Sequence, residues 1–344
     1  MKTLKYLLHS LLVFLSIPWG VGSAQTAGLK LGPFEKTRPR EMSVPQVDET
    51  FSEYDALHGS ASTPEQCAGI PGAFWIGTNG EGVCIRTYSA GLPAAQPTSK
   101  AIVYLHGDAI LRSRRAVRTI GLSYLRRSPS SVLEDVRSWH EEAGVPVIFV
   151  ARPGLYGSSG DHNRRRLPEE IDVVDAALDR LRERHGLQSF ILTGQSGGGH
   201  LAAALVNRRN DVEAAVISSG LLSVSRVMAV WDRRRTIPGW LIQDSDNFYD
   251  PIDEIEKIPP GLAGSLYILS DPEDHVIPFA TQLHYVRRLR AAGLEPHHFY
   301  VTADDPNRHG LYSQARQTAS MIAKGASPRD VLQRLQAFEL ERLD

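Results

Sequence analysis

A serine among glycines, Gly194-Gln195-Ser196-Gly197-Gly198, stands between the apolar run Phe190-Ile191-Leu192 and the helix-favouring stretch 200–206. A strand that turns at once into a helix carries the serine at its apex, with the hydroxyl clear of both elements. Ser196 is therefore a candidate nucleophile. A Cβ at 194 or 198 would crowd so tight a turn, and strained backbone is cheapest for glycine. The N–H of Gly197 is placed to receive an oxyanion, and the positive end of the helix dipole adds to it. A serine hydroxyl attacks poorly near neutral pH. The rest of the chain must supply an imidazole to take its proton, an acid to orient that imidazole, and a second N–H donor.

The elements that would position such groups follow from the apolar pattern. Short runs at 74–76 and 83–88, joined across Thr78-Asn79-Gly80-Glu81-Gly82, read as a hairpin. Continuous apolar runs at 101–105, 145–150, 190–193, 214–218, 265–269 and 298–301 suit strands covered on both faces. Helical periods occupy 168–185, 278–292 and 312–322 between or after them. The alternation predicts an α/β domain over 70–325. Its mainly parallel twisted sheet has about eight strands, an antiparallel N-terminal hairpin edge and helices on both faces. Residues 109–144 and 221–264 are longer than simple crossovers and leave strands at their C-terminal ends, where open sheets bind ligands. The stretch 221–264 is expected to cap the site. Residues 25–69, polar and broken by Pro33, Pro39, Pro45 and Pro64, read as an extended lead-in, and 326–344 as a helical tail.

Residues 1–24 have the layout of a secretory signal peptide. Lys2 and Lys5 precede an apolar run too short to span a bilayer, and the small residues Gly22-Ser23-Ala24 follow. Cleavage there moves the formal charge from −1 to −3, because two lysines and no acid are lost. That balance excludes nucleic acid as an expected partner, and no stable membrane anchor remains. In an exported chain the only two cysteines, Cys67 and Cys84, read as one disulfide. The expected compartment is extracellular or periplasmic.

With these elements in order the chain resembles the α/β-hydrolase family, over roughly residues 70–325. Four segments carry the resemblance: Leu105-His106-Gly107-Asp108 after an early strand, the Ser196 turn, Asp274-His275-Val276-Ile277-Pro278 after a later strand, and His309-Gly310 after the last. The resemblance implies His309 as the base and Asp274 as its acid, with Asp271 the alternative acid. It implies the Asp108 N–H as the second oxyanion donor. A carboxylate side chain at 108 is unusual beside a developing oxyanion, so an arginine, Arg112 or Arg152, is expected to hold it. The glycine-rich stretch 152–160 resembles the family's loop near the pocket wall, where Tyr156 would reach substrate.

Arginine outnumbers lysine by 31 to seven, and clusters at 112–118, 164–166 and 233–235 leave the expected rim of the sheet. Two readings stay open. The clusters are solvated faces of an arginine-favouring composition, or Arg233 and Arg234 grip an anionic substrate in bidentate fashion. The implied activity is a secreted serine hydrolase that cleaves a carboxylic ester through an acyl-enzyme, without metal or cofactor. A serine peptidase of the same fold is the second reading, and a binding protein that keeps the fold without turnover is the third.

Overall fold

The computed structural model describes residues 28–78, 81–92, 99–242, 246–262 and 264–341, so the proposed signal peptide lies outside the described residues. Eight strands form one sheet: β1 (Ala73–Thr78), β2 (Glu81–Ala90), β3 (Lys100–Leu105), β4 (Val147–Val150), β5 (Ser189–Gln195), β6 (Val212–Ser218), β7 (Leu266–Ser270) and β8 (His297–Tyr300). Their spatial order is β8-β7-β6-β5-β3-β4-β2-β1. From β4 to β8 every pairing is parallel, and β1 and β2 add the antiparallel hairpin at the edge, as the sequence predicts.

Side chains alternate across a strand, so each strand feeds two cores. Ala101, Val103 and Leu105 of β3 face one core together with α2 (Pro168–His185), α3 (Gly197–Val206) and α5 (Phe279–Ala291). Ile102 faces the other, with α1 (Pro129–Ala143), α6 (Tyr312–Ala323) and α7 (Pro328–Glu341). Helix α1 occupies the C-terminal part of the stretch 109–144, read from sequence as a long insertion. A Ser128–Ser131 capping box with Pro129 in its first turn starts it, and Gly144 in the left-handed region ends it. A three-residue ribbon, Ile110–Arg112 paired with Arg118–Ile120, makes up part of the remainder.

The segment expected to be a lead-in contributes to the core. Phe51, Ala56 and Leu57 are buried beside Tyr88, Tyr124 and Tyr156. Phe51 precedes a helix, Glu53–His58, that carries the other two and is too short to show a period, which is why the sequence pattern does not show them. Cys67 and Cys84 form a disulfide that ties the short helix Pro64–Ala68 to β2. Closing a loop of 17 residues stabilises by about 3 kcal/mol through the entropy of the unfolded chain.

Strand registers bring the chemistry-bearing segments to one rim. Leu105 pairs with Gly194 and with Val150, while Ser218 pairs with Gln195 and with Leu269. Residues just beyond β3, β4, β5, β6 and β7 therefore emerge side by side. Above them lies α4 (Val224–Arg234), whereas Tyr249, Ile252, Ile255, Ile258 and Leu262, further along, pack into the core beside α3 and α5. Val224, Val227 and Met228 of α4 pack with Leu221 and Ile277, fixing that helix over the rim.

Candidate active site

Ser196 occupies φ 56°, ψ −118°, a region that side-chain-bearing residues avoid, between the end of β5 and the first residue of α3. Such strain costs about 1–3 kcal/mol and persists where the surroundings fix it. Here the N–H of Ser196 donates to Ser218 O (3.0 Å), and its carbonyl accepts from Leu221 and His200 N–H. The neighbouring glycines serve close approach rather than backbone strain. A Cβ on Gly198 would run into the Leu105 carbonyl, and one on Gly194 into the Gly198 carbonyl.

The turn after β3 lies against this corner. A Cβ built on Gly107 would touch Ser196 Cβ at 3.5 Å, and one on Gly197 would collide with the Asp108 carboxylate. Gly197 is the first residue of α3, so its N–H has no partner within the helix. His106 pins the turn. The Arg152 N–H donates to its Nε2 (3.2 Å), which leaves Nδ1–H to donate to Gly107 O (2.9 Å). The ring is therefore the neutral Nδ1–H tautomer, stacked 5.1 Å from Phe149.

The carboxylate of Asp108 is held by three arginines: Arg152 (2.9 Å), Arg165 (3.1 Å) and Arg166. Arg152 is the partner named from sequence, whereas Arg112 is not one. Burial disfavours the Asp108 anion, but the guanidiniums of Arg166, Arg165 and Arg152 outweigh it and hold the carboxyl well below the usual range. Glu170 completes the cluster by accepting from Arg152 Nε (2.9 Å) and from the Arg166 N–H (2.7 Å). Arg165, Arg166 and Glu170 come from the loop after β4 and from α2. Nothing local in the sequence pairs them with residue 108.

His309 follows β8, and its Nδ1 lies 2.9 Å from Asp274 Oδ2. The other oxygen of Asp274 accepts the N–H groups of Val276 (2.8 Å) and Ile277 (2.9 Å), so the carboxylate is fixed before it meets the imidazole. The alternative acid, Asp271, does not reach His309. It grips Arg308 through both oxygens and accepts the Ala303 N–H, tying down the His309 loop from the other side. Asp305 also fastens the loop by accepting the N–H groups of Asn307 and His309, each at 2.9 Å.

Ser196 and His309 sit on the shared wall of two cavities. One, about 410 Å³, is lined by Tyr104, Tyr124, Trp139, Phe149, Tyr156 and Tyr312. Tyr156 is held there by a hydrogen bond from Tyr88 Oη to its carbonyl (2.9 Å) and by ring contacts with His106 and Tyr124. The other cavity, about 580 Å³, runs beneath α4 and is rich in arginine. Of the residues singled out from the third cluster, Arg234 lines it. Arg233 points to solvent, and its place is taken by Arg235.

Three histidines near this rim are buried and neutral. Desolvation pushes His106 and His200 down to about 3, and desolvation followed by the Arg152 charge holds His162 far below its ordinary value. Each binds its proton more weakly folded than unfolded, so the stability it contributes is complete above the unfolded value of 6.5 and is lost as pH falls below it. The loss is about 1.4 kcal/mol per pH unit for each, or up to about 4 for the three together. Urea transitions followed by tryptophan fluorescence between pH 7.5 and 5 should show a steep drop in midpoint. An unchanged midpoint would contradict their neutral burial.

No protein-family model matches the sequence, and no curated protein matches it. Solved structures match in shape. The esterase Pf2001 of Pyrococcus furiosus aligns with a TM-score of 0.51 over 88% of this chain and 98% of its own, at 14% identity. A puromycin hydrolase aligns with a TM-score of 0.51 over 74% of this chain and 39% of its own, at 14% identity. The chain spans 40% of the length of the Pyrococcus horikoshii acylaminoacyl peptidase, with 77% of this chain covered at 16% identity and a TM-score of 0.46. Together with the strand order, the whole-length match establishes the fold as that of the α/β-hydrolases.

Proposed function

We propose that the protein is a secreted serine hydrolase that cleaves carboxylic esters through an acyl-enzyme. Ser196 Oγ attacks the acyl carbon while His309 Nε2 takes its proton. Asp274 keeps the His309 proton on Nδ1 and stabilises the imidazolium. The N–H groups of Gly197 and Asp108 receive the oxyanion. His309 then gives the proton to the leaving alcohol, and water, activated by the same imidazole, releases the acid and restores Ser196. The observation that carries this reading is the 2.9 Å Asp274–His309 pair opening onto the same two cavities as a serine held at a strained corner. The leader at 1–24 and the Cys67–Cys84 disulfide support export.

A peptide bond could be opened by the same groups. The surroundings favour the ester, because a free α-ammonium entering the larger cavity would meet guanidiniums. Turnover of p-nitrophenyl esters beside matched aminoacyl p-nitroanilides distinguishes the two. The esters are expected to be cleaved with at least about a hundredfold higher kcat/KM, roughly 2.7 kcal/mol at the barrier. Equal or faster anilide cleavage overturns the ester reading. A folded protein that neither turns over esters nor is labelled at Ser196 by a phosphonate would be the non-catalytic binder.

A further inference from the structure

The larger cavity holds an excess of positive charge that the carboxylates around it neutralise only in part. Arg112, Arg114, Arg165, Arg166, Arg234 and Arg235 line it against two carboxylates, Asp108 and Asp305. Both carboxylates are already engaged: Asp108 by Arg152, Arg165 and Arg166, Asp305 by backbone N–H groups of its own loop. Arg235 pairs with Asp232 at 2.8 Å, and Arg234 spends one nitrogen on the His275 carbonyl, also at 2.8 Å. Arg112 has no carboxylate partner among the described residues. Its Nε is buried without an acceptor, as is the Nε of Arg166.

Holding these guanidiniums together is costly. Burial, and after it the guanidiniums of Arg165, Arg118, Arg235 and Arg166, push the Arg112 group down to about 9. A cluster of like charges held this close is stable only if the fold imposes it, and here the fold does. The ribbon Ile110–Arg112/Arg118–Ile120 is anchored by hydrogen bonds in both directions between Leu31 and Arg118 and by Thr236 N–H to Arg114 O. Ile110, Leu111, Trp231 and Val276 supply an apolar stretch of wall in the same cavity, which suits a short carbon chain between a reacting carbonyl and a charged end.

We infer that this cavity binds the anionic end of the substrate: an ester carrying a carboxylate or phosphate on one side of its scissile bond, held by Arg112 with Arg234 and the free edge of Arg166. The inference rests on the proposed hydrolase reading and names its substrate class. Guanidinium forks match either oxyanion in bidentate fashion, and a buried anion here would relieve the mutual repulsion of the arginines as well as gain hydrogen bonds.

The experiment compares esters of matched size with and without the anion on each side: p-nitrophenyl hemiglutarate against p-nitrophenyl pentanoate, and 4-carboxyphenyl butanoate against phenyl butanoate. One anionic ester of the two is expected to exceed its neutral partner in kcat/KM about ten- to a hundredfold, the worth of a charge-assisted hydrogen bond or two. Arg112→Gln and the more exposed Arg234→Gln should each reduce that anionic-to-neutral ratio about tenfold, and Arg329→Gln on the far tail should leave it unchanged. Glutarate and inorganic phosphate, tested at equal ionic strength as inhibitors of pentanoate cleavage, report which oxyanion is preferred. Neutral esters cleaved as fast as both anionic ones, or a ratio untouched by Arg112→Gln and Arg234→Gln, overturn the inference and leave the hydrolase reading standing. If no ester is cleaved and Ser196 is not labelled, the hydrolase reading fails instead. The anion site is then judged by melting temperature alone. A rise with glutarate or phosphate that Arg112→Gln abolishes supports it, and no rise sinks it.

Discussion

Ser196→Ala is expected to lower kcat for ester hydrolysis by about 10⁶-fold, the loss that removing a nucleophile brings when base and acid are left idle. The folded state should survive, because alanine keeps the Cβ and the corner is held by main-chain bonds to Ser218, Leu221 and His200. Labelling by an active-serine phosphonate should vanish with the activity. Ser196→Gly separates chemistry from strain. It should be equally inactive yet gain about 1 kcal/mol in stability, since glycine accepts φ 56°, ψ −118° without the penalty that serine bears. A Ser196→Ala protein that keeps more than a few per cent of wild-type kcat would remove Ser196 from the mechanism. A Ser196→Gly protein no more stable than Ser196→Ala would show that the corner is not strained in solution.

How far the site was legible in the sequence differs from residue to residue. Ser196 follows its strand directly, and Asp274 and His309 sit in the loops after theirs, so a correct strand order places all three on one rim without knowledge of any side-chain contact. The eight strands were readable because a two-sided core forces continuous apolar runs. Helix α1 was hidden behind the arginine-rich ribbon that precedes it, although its Ser128-Pro129 start and Gly144 stop are local signals. The contribution of Phe51 and Leu57 to the core was not readable, because Phe51 precedes and Leu57 sits on a helix, Glu53–His58, too short to show a period. Asp108 shows a further limit. Its chemistry announced that a cation must hold it, and Arg152, one strand over, could be named. Arg165 and Arg166, 57 and 58 positions away, depend on how the loop after β4 folds back. Likewise the choice between Arg233 and Arg235 turns on where α4 ends, because Arg235 is the extended residue just past its last turn. An arginine cluster in sequence does not carry that boundary.

Two aspartates, Asp271 and Asp274, compete for the acid in the sequence, and paired substitutions should separate them by kind as well as by size. Asp274→Asn keeps the shape but offers an amide to His309 Nδ1. The imidazole is then no longer held with its proton on Nδ1 and its Nε2 lone pair toward Ser196, and kcat should fall about 10⁴-fold with little change in KM. Asp271→Asn leaves that pair intact. It loosens the bidentate grip on Arg308, a residue held at φ 54°, and so costs stability of about 1–3 kcal/mol while kcat falls only about tenfold. Burial opposes ionisation of Asp271, but the Arg308 hydrogen bonds and the N–H groups of Ala303 and Glu273 prevail and lower its carboxyl below the ordinary value. The stability it contributes is therefore present above the ordinary carboxylate range and lost in acid as pH falls through the lowered value. Asp271→Asn should abolish that part of the acid unfolding curve, and Asp274→Asn should leave it. If instead Asp271→Asn proves the more damaging to kcat at unchanged stability, the carboxylate that orients His309 has been assigned to the wrong residue.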